Sequence, residues 1–226
     1  MFIKAFKNKH YNGSNSVVCI TGNLNEKSLE QLVLRSLGNM AKGVKVKDPI
    51  INAKKSQENE FIKGKFNNLK HIKIDFNGYK LKDTNRYAFS ILSFLIDAYL
   101  NEVIKYKKGL AYVVNSKNFY TNSYGLLSIY SAADSVKVIE EIFSILQKIR
   151  VDEHTLSLAK INVTSDLIFN LEYASQILDF YATNHLFENP ISIQNEIDNF
   201  KKVSLNDVKY EYQKLLKDSP VITVLG

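Results

Sequence analysis

The chain has 226 residues, 45% of them apolar, and a formal net charge of +7. That is enough apolar chain for one large domain or two small ones, and it excludes wholesale disorder. The lysines are scattered and gather only at Lys42, Lys45, Lys47, Lys54 and Lys55; without interleaved aromatics they read as a solvated surface rather than a nucleic-acid footprint.

The opening residues Met1–Lys7 lack the apolar core of a signal peptide. Ser16-Val17-Val18-Cys19-Ile20-Thr21, closed by Gly22, reads as a buried strand, with the lone cysteine as a small core hydrophobe. Asn25 is a plausible N-cap for a helix to about Leu37, carrying Leu29, Leu32, Val33 and Leu37 on one face and stopped by Gly38. A polar, lysine-rich connection follows over residues 42–59.

Strands are expected near Glu60–Phe66 and Lys70–Phe76. In the second, His71, Lys73 and Asp75 alternate with Ile72, Ile74 and Phe76, which puts His71 on the polar face. The stretch from Thr84 to Lys105 is a helix that is apolar nearly all round, so it should be buried between layers. Its apolar core, Tyr87 to Leu100, is interrupted by Ser90, Ser93 and Asp97 and falls short of membrane-spanning length.

Strands at Ala111–Tyr120 and Tyr124–Ala132 are joined by Thr121-Asn122-Ser123. Asp134 should cap a helix to Arg150, and Asp152 should start one long helix through Phe187. Shorter helices are expected at Ser192–Lys201 and Leu205–Lys217, the latter opened by a capping box at Ser204 and Asp207. The chain closes on the strand Val221–Leu225. Hairpins alternating with helices make this α+β, with an antiparallel or mixed sheet in a single domain over residues 1–226. The two lone strands near the ends are expected side by side in one sheet.

The four histidines, His10, His71, His154 and His185, show no local zinc-ligand spacing, and no phosphate-binding or nucleophile-elbow motif is present. One cysteine forms no internal disulfide, which is compatible with a reducing compartment, and a cytoplasmic location is the expectation. The segment that stands out is Leu100-Asn101-Glu102-Val103-Ile104-Lys105-Tyr106-Lys107-Lys108-Gly109-Leu110-Ala111-Tyr112-Val113-Val114. A long helix ends in a basic turn, a glycine breaks it, and an aromatic strand begins. Lys105 and Tyr112, seven residues apart, can then point a cation and a hydroxyl at one spot. The same spacing also fits lysines that complement a helix C-terminus beside a core tyrosine.

This block resembles the second-half motif of the insulinase/pitrilysin family of zinc metallopeptidases, closest in pattern to the mitochondrial processing peptidases. There an arginine stands seven residues before the tyrosine of Gly-Leu-Ala-Tyr. Lys105 holds the arginine position here, keeping the charge but losing the planar fork. The run Asn15–Asn23 is similar to the family's opening block, with Asn23 in place of an acid. Leu156–Lys160 with Leu171–Ser175, Val203–Val208 and Pro220–Gly226 resemble further family segments in the same order.

The resemblance implies the non-catalytic, C-terminal half of such an enzyme, inactive alone because the H-x-x-E-H zinc motif is absent. It implies no cofactor bound by this chain and no metal ligands in it, zinc being expected in a partner, either a zinc-binding N-terminal half or a homologous subunit. Lys105 and Tyr112 would be substrate-binding residues for a peptide, with neither nucleic acid nor membrane as partner. The alternative it allows is a proteolytically inactive structural subunit of a larger assembly, toward which the Lys105 and Asn23 departures point.

Overall fold

The computed structural model describes residues 2–46, 60–62 and 69–226. Contacts divide the chain into two compact units, Met1–Pro49 with Leu167–Asn195, and Ile50–Asp166 with Glu196–Gly226, where the sequence suggested one domain.

The second unit is built on a five-stranded sheet. Its strands are β1 (Glu60–Ile62), β2 (Lys70–Asn77), β3 (Val113–Tyr120), β4 (Gly125–Ala133) and β5 (Val221–Leu225), in spatial order β1-β5-β2-β4-β3. Pairing is antiparallel throughout β5-β2-β4-β3, and β1 joins β5 in parallel, so the sheet is mixed as expected. The alternation in β2 delivers Ile72, Ile74 and Phe76 to the core, where they are buried together with Leu127, Ile129 and Val224.

Eight α-helices lie among the described residues. They are α1 (Phe2–His10), α2 (Glu26–Leu37), α3 (Arg86–Leu100), α4 (Val138–Leu146), α5 (Glu153–Asn170), α6 (Ala174–Leu186), α7 (Ile193–Lys202) and α8 (Leu205–Lys217). Helix α3 covers the sheet. Ile91, Leu92, Ile96 and Leu100 are fully inaccessible, which explains a helix with almost no polar face. Counted through its terminal turn, the run Asn85–Lys107 is 23 residues, long and apolar enough by composition to cross a membrane. This corrects the shorter sequence estimate; more than half of that apolar window is buried inside the protein.

Three elements differ from expectation. Residues 16–21 form no strand; Val17, Val18 and Ile20 are exposed and Cys19 is half-buried. The neighbours of β5 are β1 and β2 instead. An isolated run of β-branched residues has strand propensity, but a strand exists only where another backbone pairs with it. The long helix expected from Asp152 to Phe187 breaks at residues 171–173, where Tyr173 takes extended backbone (φ −93°, ψ 128°). Neither Pro nor Gly marks that break. Helix α4 starts at Val138 rather than after Asp134, following a turn in which Ser135 Oγ accepts from the Lys137 backbone N–H.

The helix caps follow the sequence closely. Asn25 accepts from Ser28 N at 3.2 Å, and Asp152 accepts from Thr155 N at 2.9 Å. Ser204 and Asp207 form a reciprocal capping box at α8. Of the strand expected at Glu60–Phe66, Glu60–Ile62 is observed and residues 63–66 lie outside the described residues, as do residues 47–59 of the lysine-rich connection.

Candidate functional site

The connection from α3 to β3 has an unusual backbone. Beyond Leu100 the helix widens into a π-helical segment, Asn101–Lys107, in which Lys108 N–H reaches back five residues to Val103 O at 2.9 Å. Such widened turns are rare and often accompany functional sites. The wider turn closes with Leu110 N–H on Ile104 O at 2.8 Å, across Gly109 at φ +60°. A side chain at residue 109 would meet no atom within 4 Å, so glycine is favoured there by the left-handed backbone alone. Tyr112 N–H then donates to Ala132 O at 2.9 Å, pinning the far end of the connection to β4 just before β3 begins.

Both residues singled out in the sequence lie on this pinned connection. Tyr112 is 63% exposed and Lys105 is exposed, so Tyr112 is not a core residue. Within the basic turn the three lysines differ. Lys107 bonds Glu102 at 2.5 Å and Lys108 bonds Glu141 at 2.6 Å. Lys105 has no carboxylate partner among the described residues, and its Nζ lies 5.4 Å from the centre of the Tyr106 ring. Two of the turn's three charges are thus matched by carboxylates among the described residues. The position of Lys105 and that of Tyr112 were readable from the helix–glycine–strand spacing; the π turn was not, since it has no sequence signature beyond the same residues.

Two polar clusters were not foreseen. Arg86, 4% exposed, forks onto Glu196 with 2.7 Å bonds to both carboxylate oxygens. Tyr87 donates to the same carboxylate at 2.8 Å and accepts from Arg86 and from Asn199. Burial, opposed by the Arg86 charge, pushes the Tyr87 hydroxyl up to about 12. The second cluster joins the β2–α3 loop to α8. The Tyr79 hydroxyl lies 2.7 and 2.8 Å from the two oxygens of Glu211 and accepts from Lys214 Nζ at 2.7 Å. Burial raises the Glu211 carboxyl above its usual range, and the Tyr79 hydrogen bond opposes that rise. Lys214 also lines a cleft of about 360 Å3 with Phe76, Asn77, Phe89, Leu215 and Lys217. Both clusters unite residues 110 and 132 positions apart, so no local pattern could have announced them.

The histidines stay apart in role. His10 stacks on Phe6, His71 shares a 2.7 Å hydrogen bond with Tyr130 across β2 and β4, and His154 and His185 sit in terminal turns of α5 and α6. Among the described residues, no three His, Cys, Asp or Glu side chains converge as metal ligands would.

The sequence profile described as "Peptidase M16 inactive domain" matches residues 2–162. The chain belongs to that family. Solved structures give the same fold at low identity. A protease from Helicobacter pylori superposes with a TM-score of 0.86 at 18% identity, over 99% of this chain and 58% of the other. A peptidase M16 inactive domain from Pseudomonas fluorescens gives 0.77 at 17% identity, over 91% and 52%. A chain of the Candida albicans complex III2, with Inz-5 bound, gives 0.75 at 18%, over 91% and 53%. This M16 chain therefore spans little more than half the length of these structural relatives. No curated protein matches it.

Proposed function

We propose that this M16 chain is the non-catalytic half of a peptide-cleaving chamber, supplying substrate contacts to a zinc site held by a zinc-binding half or homologous subunit. Zinc bound there would supply the Lewis acid and the activated water; this chain's part is to hold and orient the peptide. The processing-peptidase-like pattern around Gly109-Leu110-Ala111-Tyr112 is part of this reading. The observation that carries it is the exposed phenol of Tyr112, held by the backbone anchor at Ala132 on a connection pinned at both ends. From this anchored backbone the hydroxyl would donate to a peptide carbonyl as negative charge develops on its oxygen. Lys105, without a carboxylate partner among the described residues, adds an ammonium to the same task as a point charge rather than a fork.

A second reading has one observation in its favour. Lys105 stands where the resembled pattern carries arginine, and its ammonium rests near the Tyr106 ring. That fits a subunit kept for structure after its substrate contacts drifted, and one relative of the same fold is a chain of complex III2. Tyr112→Phe separates the two readings. In the assembled enzyme it should lower kcat/KM by an amount equivalent to about 3 kcal/mol of transition-state stabilisation, with the melting transition unchanged. An unchanged rate would favour the structural subunit.

A further inference from the structure

The apolar run of α3 is interrupted at Ser90, Ser93 and Asp97, and all three interruptions meet β3. Ser90 Oγ bonds the Tyr120 hydroxyl, Ser93 Oγ lies 3.0 Å from Ser116 Oγ, and Asp97 Oδ1 accepts from the Ser116 N–H at 2.6 Å. Asn101 carries the polar series into the π segment. Its amide donates to Asp97 Oδ2 at 3.1 Å and to the Asp97 carbonyl at 2.9 Å. Strand β3 is outermost in the described sheet and pairs there with β4 alone, so the Ser116 N–H turns to a helix side chain instead of another strand.

One carboxylate thus grips both stems of the connection that carries Lys105, Gly109 and Tyr112. Asn101 is the helix stem and Ser116 the strand stem. Between them Ile104 and Ala111 are buried and seat the connection on the core. Asp97 is the sole acid of α3 and is half-buried. Burial lifts its carboxyl above the usual range, against the Ser116 and Asn101 hydrogen bonds and the Lys117 charge. Withdrawing a carboxylate from water costs stability that an apolar side chain would not. What it adds is a joint of charge-assisted hydrogen bonds between two stems.

From this we infer that Asp97 is a positioning residue: its carboxylate, closed on Asn101 and Ser116, sets where the connection holds the Tyr112 phenol, and it acts on the reaction through Tyr112 without touching the peptide. The effect on turnover rests on the proposed function; the effect on the connection does not. A small misplacement of a group that meets the transition state removes a large part of the rate.

The full chain carrying Asp97→Asn tests this. When the new amide oxygen serves Ser116, its nitrogen is set against that of Asn101. Amide exchange at Leu110 and Tyr112, whose N–H groups bond Ile104 O and Ala132 O, should quicken at least tenfold in the chain alone, with exchange in β2 unchanged. Ser93→Ala removes the neighbouring hydroxyl contact with Ser116 and should alter neither. Asp97→Asn combined with Asn101→Asp restores a carboxylate–amide bridge and should bring exchange back to within about threefold of the parent. With the proposed H-x-x-E-H half and a quenched fluorogenic peptide, Asp97→Asn should lower kcat at least tenfold while KM changes less than twofold, and the double change should recover most of the loss. If Asp97→Asn does not fold, Asn101→Ala frees the helix stem alone and should give the same quickening at Leu110 and Tyr112. Unchanged exchange at those two residues, equal quickening across β2, or no recovery in the double change would overturn the inference. Faster exchange at Tyr112 beside a parent mixture that cleaves nothing would leave the clasp standing and remove the proposed function. An active mixture in which Asp97→Asn keeps its kcat would keep the function and overturn the inference.

Discussion

Arg86 and Glu196 meet in a buried, two-bond ion pair that ties the first turn of α3 to α7. Both residues are largely withdrawn from water, Arg86 at 4% and Glu196 at 7% exposure. Removing one partner strands the other charge in a low-dielectric setting. Glu196→Gln should therefore cost about 3 kcal/mol of stability, read as a lowered denaturation midpoint in urea. Arg86→Met combined with Glu196→Leu should recover part of that loss, because the double change leaves no buried charge behind. Additive losses in the double variant would show that the pair contributes through something other than mutual compensation.

Strand β5 lies between β1 and β2 and is hydrogen-bonded on both sides. Deleting residues 220–226 removes it, exposes the edge of β2 and leaves β1 without a partner. The truncated chain should aggregate or fail to fold, as judged by size-exclusion chromatography. A soluble truncated protein with an unchanged melting transition would contradict the sheet order.

The contrast between β5 and residues 16–21 shows what was legible in the sequence. Both are short runs of consecutive apolar, β-branched residues, and both read as strands. One is a strand because β1 and β2 flank it; the other has no described partner and is none. Side-chain pattern reports propensity, whereas pairing is a long-range fact. Helix α3 was legible because its content is unmistakable, and the caps at Asn25, Asp152 and Ser204 because capping is local. Of the candidate site, the Lys105–Gly109–Tyr112 spacing could be read. The π turn, the Arg86–Glu196 pair and the Tyr79–Glu211 contact could not, since each depends on where distant or equivalent residues settle.

Glu211 is buried, and desolvation raises its carboxyl above the usual value even though Tyr79 and Lys214 oppose the shift. A carboxyl whose folded pKa exceeds its unfolded one favours the fold most when protonated. Its contribution is fully present below the unfolded value, near pH 4, and is lost as pH rises through the raised folded value. Glu211→Gln, which keeps an acceptor for Tyr79, should compare more favourably with the parent protein at pH 7 than at pH 4. Urea denaturation at both pH values gives the comparison. A difference between the two proteins that is constant with pH would mean that the Glu211 carboxyl titrates alike in the folded and unfolded chain.

The most direct measurement is peptide hydrolysis by three samples: this chain alone, the proposed H-x-x-E-H half alone, and the two at equal concentration. The absence of any converging ligand set among the described residues and the exposure of Lys105 and Tyr112 lead to one expected pattern. Turnover should appear in the mixture, with kcat/KM at least a hundredfold above either sample alone, and Tyr112→Phe should remove most of the gain. Hydrolysis by this chain alone, or a zinc-binding half equally active without it, would contradict the account.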